Sequence, residues 1–565
     1  MSSRLTSRRA AAFLLTACVL VSLTSAALTR VQVDLAAPVK DLSVQPAGFG
    51  LGLNGDLAHD NHTRARYFFS EHPDETAACF REAGVRLVRS FPVVPFWQGD
   101  RAIRRNFYEH WKNADFGRAA LDMSKPWHWT EPKDIYDFYR KNDVKVLLCL
   151  SSFVYDAERD KMSCDVELVR KTTVAYIDWV KTNGYADQIV GFELDNEPYN
   201  WIPDPKVYAE ICKAVIPEIV KAWPGAKIGL PVSIYGKDDP DLEELKKRFT
   251  QNTLLKGPRC DERFNQWSGN VIRELGDVAR HVTHLIIHVY GAGFHFNCNS
   301  AGIRRVDQLR KAFPVLAGTR TWITEWRDQS DNDPLSHRRF RTLLWKANYI
   351  LMALSRPEVD AIYQHTIYGL SGVIYWSTGT EWYYQRERYG SRKLVPDTSG
   401  VGHPHMVPGT CGTLYRLLFD AFDGRASLVG FGSSRGVDAD ACYYDSIIRH
   451  DRAKEKDPSS DLPFAGDCMW AVAADSKGTE GTLVAVNTHA APETVTVDVK
   501  GVRIGPATCR VLSCPQEDLD HFETPGRSLG HVETRTVPAP ASGPATFVVP
   551  PFSVLTARFP LTGRY

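Results

Sequence analysis

From about Phe49 to Trp376 the chain alternates short runs of β-branched and apolar residues with longer segments in which apolar side chains recur every three or four positions. The first pattern suits buried parallel strands and the second amphipathic helices, so their alternation predicts βα units. Eight strand-like runs can be read: Gly48–Leu53, Val85–Phe91, Val144–Ser151, Gln188–Leu194, Lys227–Val232, His284–Tyr290, Arg320–Glu325 and a last one between Val359 and Trp376. Helical patterns cover Glu75–Ala83, Glu131–Lys141, Val166–Thr182, Pro205–Ala222, Val306–Phe313 and Ser336–Leu354. Eight repeats predict an α/β fold, a closed (β/α)8 TIM barrel, rather than a doubly wound sheet. The eighth run has two candidates, Asp360–Tyr368 and Gly372–Trp376, and the choice decides whether His365 or Trp376 faces the barrel mouth.

Beyond a stretch rich in Gly and Pro near residues 396–410, Thr413–Phe422 reads as a helix, and from Ser427 the pattern becomes short alternating strands. The predicted organisation is therefore a barrel over residues 45–422 and a β-sandwich over 427–565. The early run Arg30–Leu35, within the segment 30–44, needs a sheet to pair with and is expected to join the sandwich. The chain begins differently: Arg4, Arg8 and Arg9 precede an apolar run from Ala10 to Leu23 and then Ser25, Ala26 and Ala27. That reads as a cleaved signal peptide over 1–26, and hence a secreted or lumenal protein, because the run is shorter than the ~20 residues a spanning helix needs.

Composition changes this picture little but excludes some classes. With 43% hydrophobic and 24% charged residues the chain is an ordinary globular one. Loss of residues 1–26 removes three arginines and no acid, taking the formal net charge from +1 to −2. That leaves no electrostatic case for nucleic acid. No Cys or His spacing suits zinc, and neither a metal nor another cofactor is expected. Twelve cysteines include Cys18 in the leader. Cys149 lies in an apolar strand pattern and reads as a buried thiol, whereas Cys260, Cys298, Cys411, Cys442, Cys468, Cys509 and Cys514 sit where export would favour bridges. One glycosylation sequon, Asn61-His62-Thr63, accords with secretion.

The chemistry concentrates at strand ends, where barrel enzymes carry their reactive residues. The fourth run ends GFELDNEPYN, placing Asn196 and Glu197 just past it, and the seventh ends WITEW, placing Glu325 at the matching position. Two carboxylates on one rim suit hydrolysis of a glycosidic bond, one protonating the leaving oxygen and the other attacking the anomeric carbon, ~5–5.5 Å apart when configuration is retained. Partial burial beside a negative charge would raise the acid's pKa, so Glu197 is expected protonated while Glu325 is ionised.

FELDNEPYN resembles the fourth-strand motif of the glycosidase clan that includes glycoside hydrolase families 5, 30, 39, 51 and 79. The resemblance implies a retaining glycosidase with Glu197 as acid/base, Glu325 as nucleophile and Asn196 bonded to the sugar 2-hydroxyl. Arg89, ending VRLVRS, matches the clan's arginine beside the nucleophile, and His288 and Tyr290 in IIHVYG resemble its sixth-strand pair. FEL-x-NEP with ITEW and GVIYWS is similar to family 39, while DAIYQHTIYG, TLYRLLFDAFDG and PPFSVLTARF are similar to family 79. Asp195 stands where these families often carry Trp or Gly, and Arg327 where Asn is common in family 39.

Aromatic side chains crowd the presumed rim, including Trp97, Trp111, Trp127, Trp129, Trp201, Trp326, Trp376 and Trp382. Sugar rings stack on such faces, and Trp201, Trp326 and Trp376 are expected to contact a carbohydrate. For His128 and His295 a satisfied loop histidine is the stronger reading. An acidic sugar would need a cation in the pocket, for which Arg89, Arg327, His365 and Lys393 are the candidates. A binding-only barrel and a transglycosylase remain as alternatives to hydrolysis.

Overall fold

A computed structural model describes residues 28–54, 73–90, 97–105, 131–233, 267–290, 303–327, 339–376, 406–434 and 468–564, apart from short gaps inside these ranges. The leader, the sequon, Trp111, Trp127, His128, Trp129, His295, Trp382, Lys393, Cys260, Cys298 and Cys442 lie outside the described residues.

Eight parallel strands close a barrel: β1 Leu51–Asn54, β2 Leu87–Ser90, β3 Lys145–Leu150, β4 Ile189–Leu194, β5 Ile228–Pro231, β6 His284–Tyr290, β7 Arg320–Arg327 and β8 Val359–His365. The eighth position goes to the first candidate, with Ile362 to His365 registered against Leu51 to Asn54. Ile374–Trp376 instead pairs antiparallel with Met406–Pro408 outside the barrel. Both runs have strand composition; only the pairing with β1, a contact distant in sequence, selects between them.

The helices begin where the chain supplies caps. Asp165 accepts from Leu168 N at 2.9 Å to start Val166–Thr182, and Asp204, followed by Pro205, accepts from Lys206 N at 2.9 Å to start Pro205–Ala222. Their apolar faces cover the outside of the barrel in one large core.

Strand alternation also fills the barrel interior. Leu87, Leu147, Ile286, Trp322, Ala361 and Tyr363 form its apolar layer. Three glycines make room for the large side chains: a β-carbon at Gly191 would sit 2.4 Å from Trp322, one at Gly229 2.4 Å from Ile286 and 2.9 Å from Trp322, and one at Gly52 2.7 Å from Tyr363. Two residues further along each strand come Asn54, Arg89, Cys149, Glu193, His288, Thr324 and His365. The period of two thus sets a polar layer on an apolar plug, at the carboxyl ends of the strands.

Beyond Phe422 the described residues form mainly antiparallel β-structure. An eight-stranded sheet faces a three-stranded one, and Leu28–Val33 enters the smaller sheet parallel to Glu493–Val499. The larger sheet continues the barrel's core, with Met469, Val484, Val486 and Val554 packed in the same cluster as the helices Phe340–Ser355 and Thr410–Phe422. Arg510 to Asp420 at 2.7 Å and the two Arg341 to Asp520 contacts at 2.9 Å rim that junction. Cys509, expected to bridge, is a free thiol in the sandwich core, and burial raises its pKa. Cys149 is a buried free thiol inside the barrel. No helix among the described residues is long and apolar enough to cross a membrane.

Candidate active site

Arg89 is the hub of the polar layer. Its guanidinium is wholly buried and chelated by a residue the motif reading passed over, Glu193, through Nε at 2.6 Å and Nη2 at 2.8 Å. Burial alone would raise the Glu193 pKa, but the Arg89 charge beside it holds the carboxyl low. The remaining Arg89 protons reach Asn54 Oδ1 at 3.2 Å, Asn196 Oδ1 at 2.8 Å and Glu325 Oε2 at 3.4 Å. With Oδ1 of Asn196 accepting from arginine, its Nδ2 is the donor end on the other side of the amide.

Glu325 reaches this layer through a bulge. Between Ile287 and His288 the register of β6 against β7 shifts by one, so that His288 pairs with Glu325 rather than Thr324. A bulge opposes two residues to one, and both Thr324 and Glu325 turn inward. Thr324 donates to Glu193 Oε1 at 3.0 Å and lies 3.1 Å from His288 Nε2. Glu325 lies 3.5 Å from His288 Nδ1 through Oε2 and 3.5 Å from His365 Nε2 through Oε1.

Glu197 approaches from the other side. It follows β4 in a left-handed conformation, φ 49°, and opens the short helix Pro198–Trp201. Its Oε1 is 2.9 Å from His288 Nδ1 and its Oε2 accepts from Asn200 Nδ2 at 2.8 Å. His288 therefore stands between the two glutamates. Burial would lower its pKa, but Glu325, Glu193 and Glu197 around it raise it to about 9, so at neutral pH it is an imidazolium donating to Glu197 and Thr324. The consequence reverses one expectation: burial pushes the Glu197 pKa up, but His288 and Arg89 prevail, and the resting carboxyl is held below its ordinary value.

The structure brings together Arg89, Asn196, Glu197, His288 and Glu325. It does not bring Trp326, which is fully buried on the outer face of β7 against Tyr349, ring centroids 4.6 Å apart. Neighbours on a strand point oppositely, so adjacency to Glu325 sends this tryptophan into the helix layer. Trp201 stands 42% exposed on the rim, four residues past Glu197. Trp97 packs partly buried against Tyr176. The backbones of Tyr290, Arg327 and Trp376 are placed, but their side chains lie outside the described residues. Glu193, Asn54 and Thr324 were missed. Glu193 carried a usable signal, a charge inside the otherwise apolar run IVGFEL, which only a buried partner stabilises.

The sequence matches no protein-family model, and no curated protein is similar to it. Solved structures share its fold over nearly the whole chain. An α-L-arabinofuranosidase from Thermotoga maritima superposes with a TM-score of 0.57 at 12% identity, covering 94% of this chain and 99% of that one. A family 51 α-L-arabinofuranosidase from Bifidobacterium longum gives 0.54 at 15% identity over 94% and 99%. A family 39 enzyme from Xanthomonas axonopodis pv. citri gives 0.51 at 13% over 95% and 98%.

Proposed function

We propose that this chain is a retaining glycoside hydrolase in which Glu325 is the nucleophile and Glu197 the acid/base. One observation carries the reading. A single nitrogen, His288 Nδ1, lies 2.9 Å from Glu197 and 3.5 Å from Glu325, so the two oxygens cannot be further apart than about 6.4 Å. Both carboxyls therefore reach one point of the cleft, and this bound accommodates the ~5–5.5 Å separation of a retaining pair.

In the first step Glu325 Oε attacks the anomeric carbon while Glu197 gives a proton to the departing oxygen, leaving a glycosyl ester on Glu325. Arg89 steadies the charge that Glu325 carries before attack. In the second step Glu197 takes a proton from water, which displaces the ester with net retention. Because the resting proton sits on His288, one hydrogen bond from Glu197, it shifts across that bond as the sugar covers the pair, and the two groups titrate together.

Arg89 is enclosed and committed to Glu193, Asn54, Asn196 and Glu325, so it does not offer itself to a substrate carboxylate. Of the four cations the sequence offers for an acidic sugar, this removes Arg89. Since the structures sharing the fold include α-L-arabinofuranosidases, an α-L-arabinofuranoside is the first sugar to test. The N-terminal segment is read as an export signal, placing the activity outside the cytoplasm. The test is hydrolysis of aryl arabinofuranoside, xyloside, glucoside, galactoside, glucuronide and iduronide by wild type and Glu325→Gln. Cleavage of one of these glycosides that the variant loses is expected; cleavage surviving in Glu325→Gln would overturn the assignment.

A further inference from the structure

Between β4 and Glu197 the backbone takes two left-handed residues, Asp195 at φ 80° and Glu197 at φ 49°. Glycine adopts such angles freely and a side chain does so at a cost of the order of 1 kcal/mol or more. An aspartate held at that angle therefore needs a reason. The carboxylate supplies one: Oδ1 accepts the backbone N–H of Asn196 at 2.7 Å, and the Asp195 N–H bonds back to Glu193 O at 3.1 Å. We propose that Asp195 is a positioning residue, its carboxylate clamping the Asn196 N–H and thereby fixing the turn that aims Asn196 and Glu197 at the cleft. The proposal rests on reading Glu197 as the acid/base.

The surroundings make the clamp rigid and keep it off the substrate. Asp195 is buried at 6% exposure. Ser152 supports its charged form from the end of β3, Cys149 faces it from β3 and Glu193 from its own strand. Tyr208 and Cys212 face it from the helix Pro205–Ala222, and the Tyr208 hydroxyl donates to the carbonyl of Leu194, immediately before it. Burial, with the Glu193 charge adding to it, raises the Asp195 pKa to about 6. The clamp is thus a titrating one.

The test uses the full chain labelled with 15N-asparagine, the Asn196 N–H being identified by its disappearance in Asn196→Gln. A downfield Asn196 resonance that moves with pH around a midpoint near 6 is expected. The movement should vanish in Asp195→Asn, and the resonance should shift upfield in Asp195→Gly. On a cleaved aryl glycoside, Asp195→Gly should lower kcat between about 10- and 100-fold with KM changed less than about threefold, and Asp195→Asn should recover most of that loss. An Asn196 resonance indifferent to both substitutions, or a glycine variant with wild-type kcat, would overturn the proposal. Should the glycine variant not fold, the titration of wild type against Asp195→Asn decides alone. Should wild type cleave no glycoside, the glycosidase reading fails, while the resonance still reports on the clamp.

Discussion

Nδ1 of His288 sits 2.9 Å from Oε1 of Glu197, and that bond governs how the site answers pH. The pKa of His288 is raised from 6.5 to about 9, so the stability it contributes is fully present below 6.5 and is lost as pH rises through 9. The kcat/KM profile of wild type should hold on its basic side until about 9 for the same reason. In His288→Asn the basic limb should move to lower pH, and the stability gap to wild type should narrow above pH 9. Denaturant midpoints and kcat/KM between pH 5 and 10 check both. An unmoved basic limb would detach His288 from the acid/base.

Glu193 and Arg89 form a buried pair, and breaking one side leaves an uncompensated charge. Glu193→Gln should lose about 3–5 kcal/mol of stability in denaturant unfolding. The double variant Glu193→Gln, Arg89→Met should lose less than the sum of the single variants, because neither charge is then stranded. Additive losses would mean the pair is not coupled.

The two tryptophans nearest the glutamates should behave oppositely. Trp326→Ala removes a fully buried ring and should destabilise the fold by about 3–5 kcal/mol. Trp201→Ala, on the exposed rim, should leave the melting temperature unchanged and raise KM several-fold for an oligosaccharide. A stable Trp326→Ala with raised KM would reverse the placement of that side chain.

Asp195 is a buried acid whose pKa is raised from 3.8 to about 6. Ionising it disfavours the folded state, with no penalty below 3.8 and the full penalty, of the order of 3 kcal/mol, above about 6. Asp195→Asn should therefore raise stability at pH 7.5 and have little effect at pH 4. Equal shifts in melting temperature at both values would contradict this.

Much of the molecule was legible in the chain. The alternation of patterns marked seven barrel strands within a few residues, and Arg89, Asn196, Glu197, His288 and Glu325, singled out from separate motifs, lie together in the polar layer. What escaped depended on contacts distant in sequence. The eighth strand was settled by pairing with Leu51–Asn54, which neither candidate run encodes locally. Trp326 was misplaced because proximity to Glu325 was read without strand alternation, and Thr324 was missed because the bulge at His288 is invisible in one strand alone. The resting charge of Glu197 required knowing that an imidazolium and a guanidinium, from two other strands, both face it.

The central claim is that Glu325 forms a covalent bond to the sugar and Glu197 resolves it. The most direct measurement is 1H NMR of the first-formed product from the aryl glycoside that wild type cleaves, before mutarotation, with Glu325→Gln run beside it. The account predicts a product of the same anomeric configuration as the substrate and no product from the variant. An inverted product, or turnover by the variant at the wild-type rate, would contradict it.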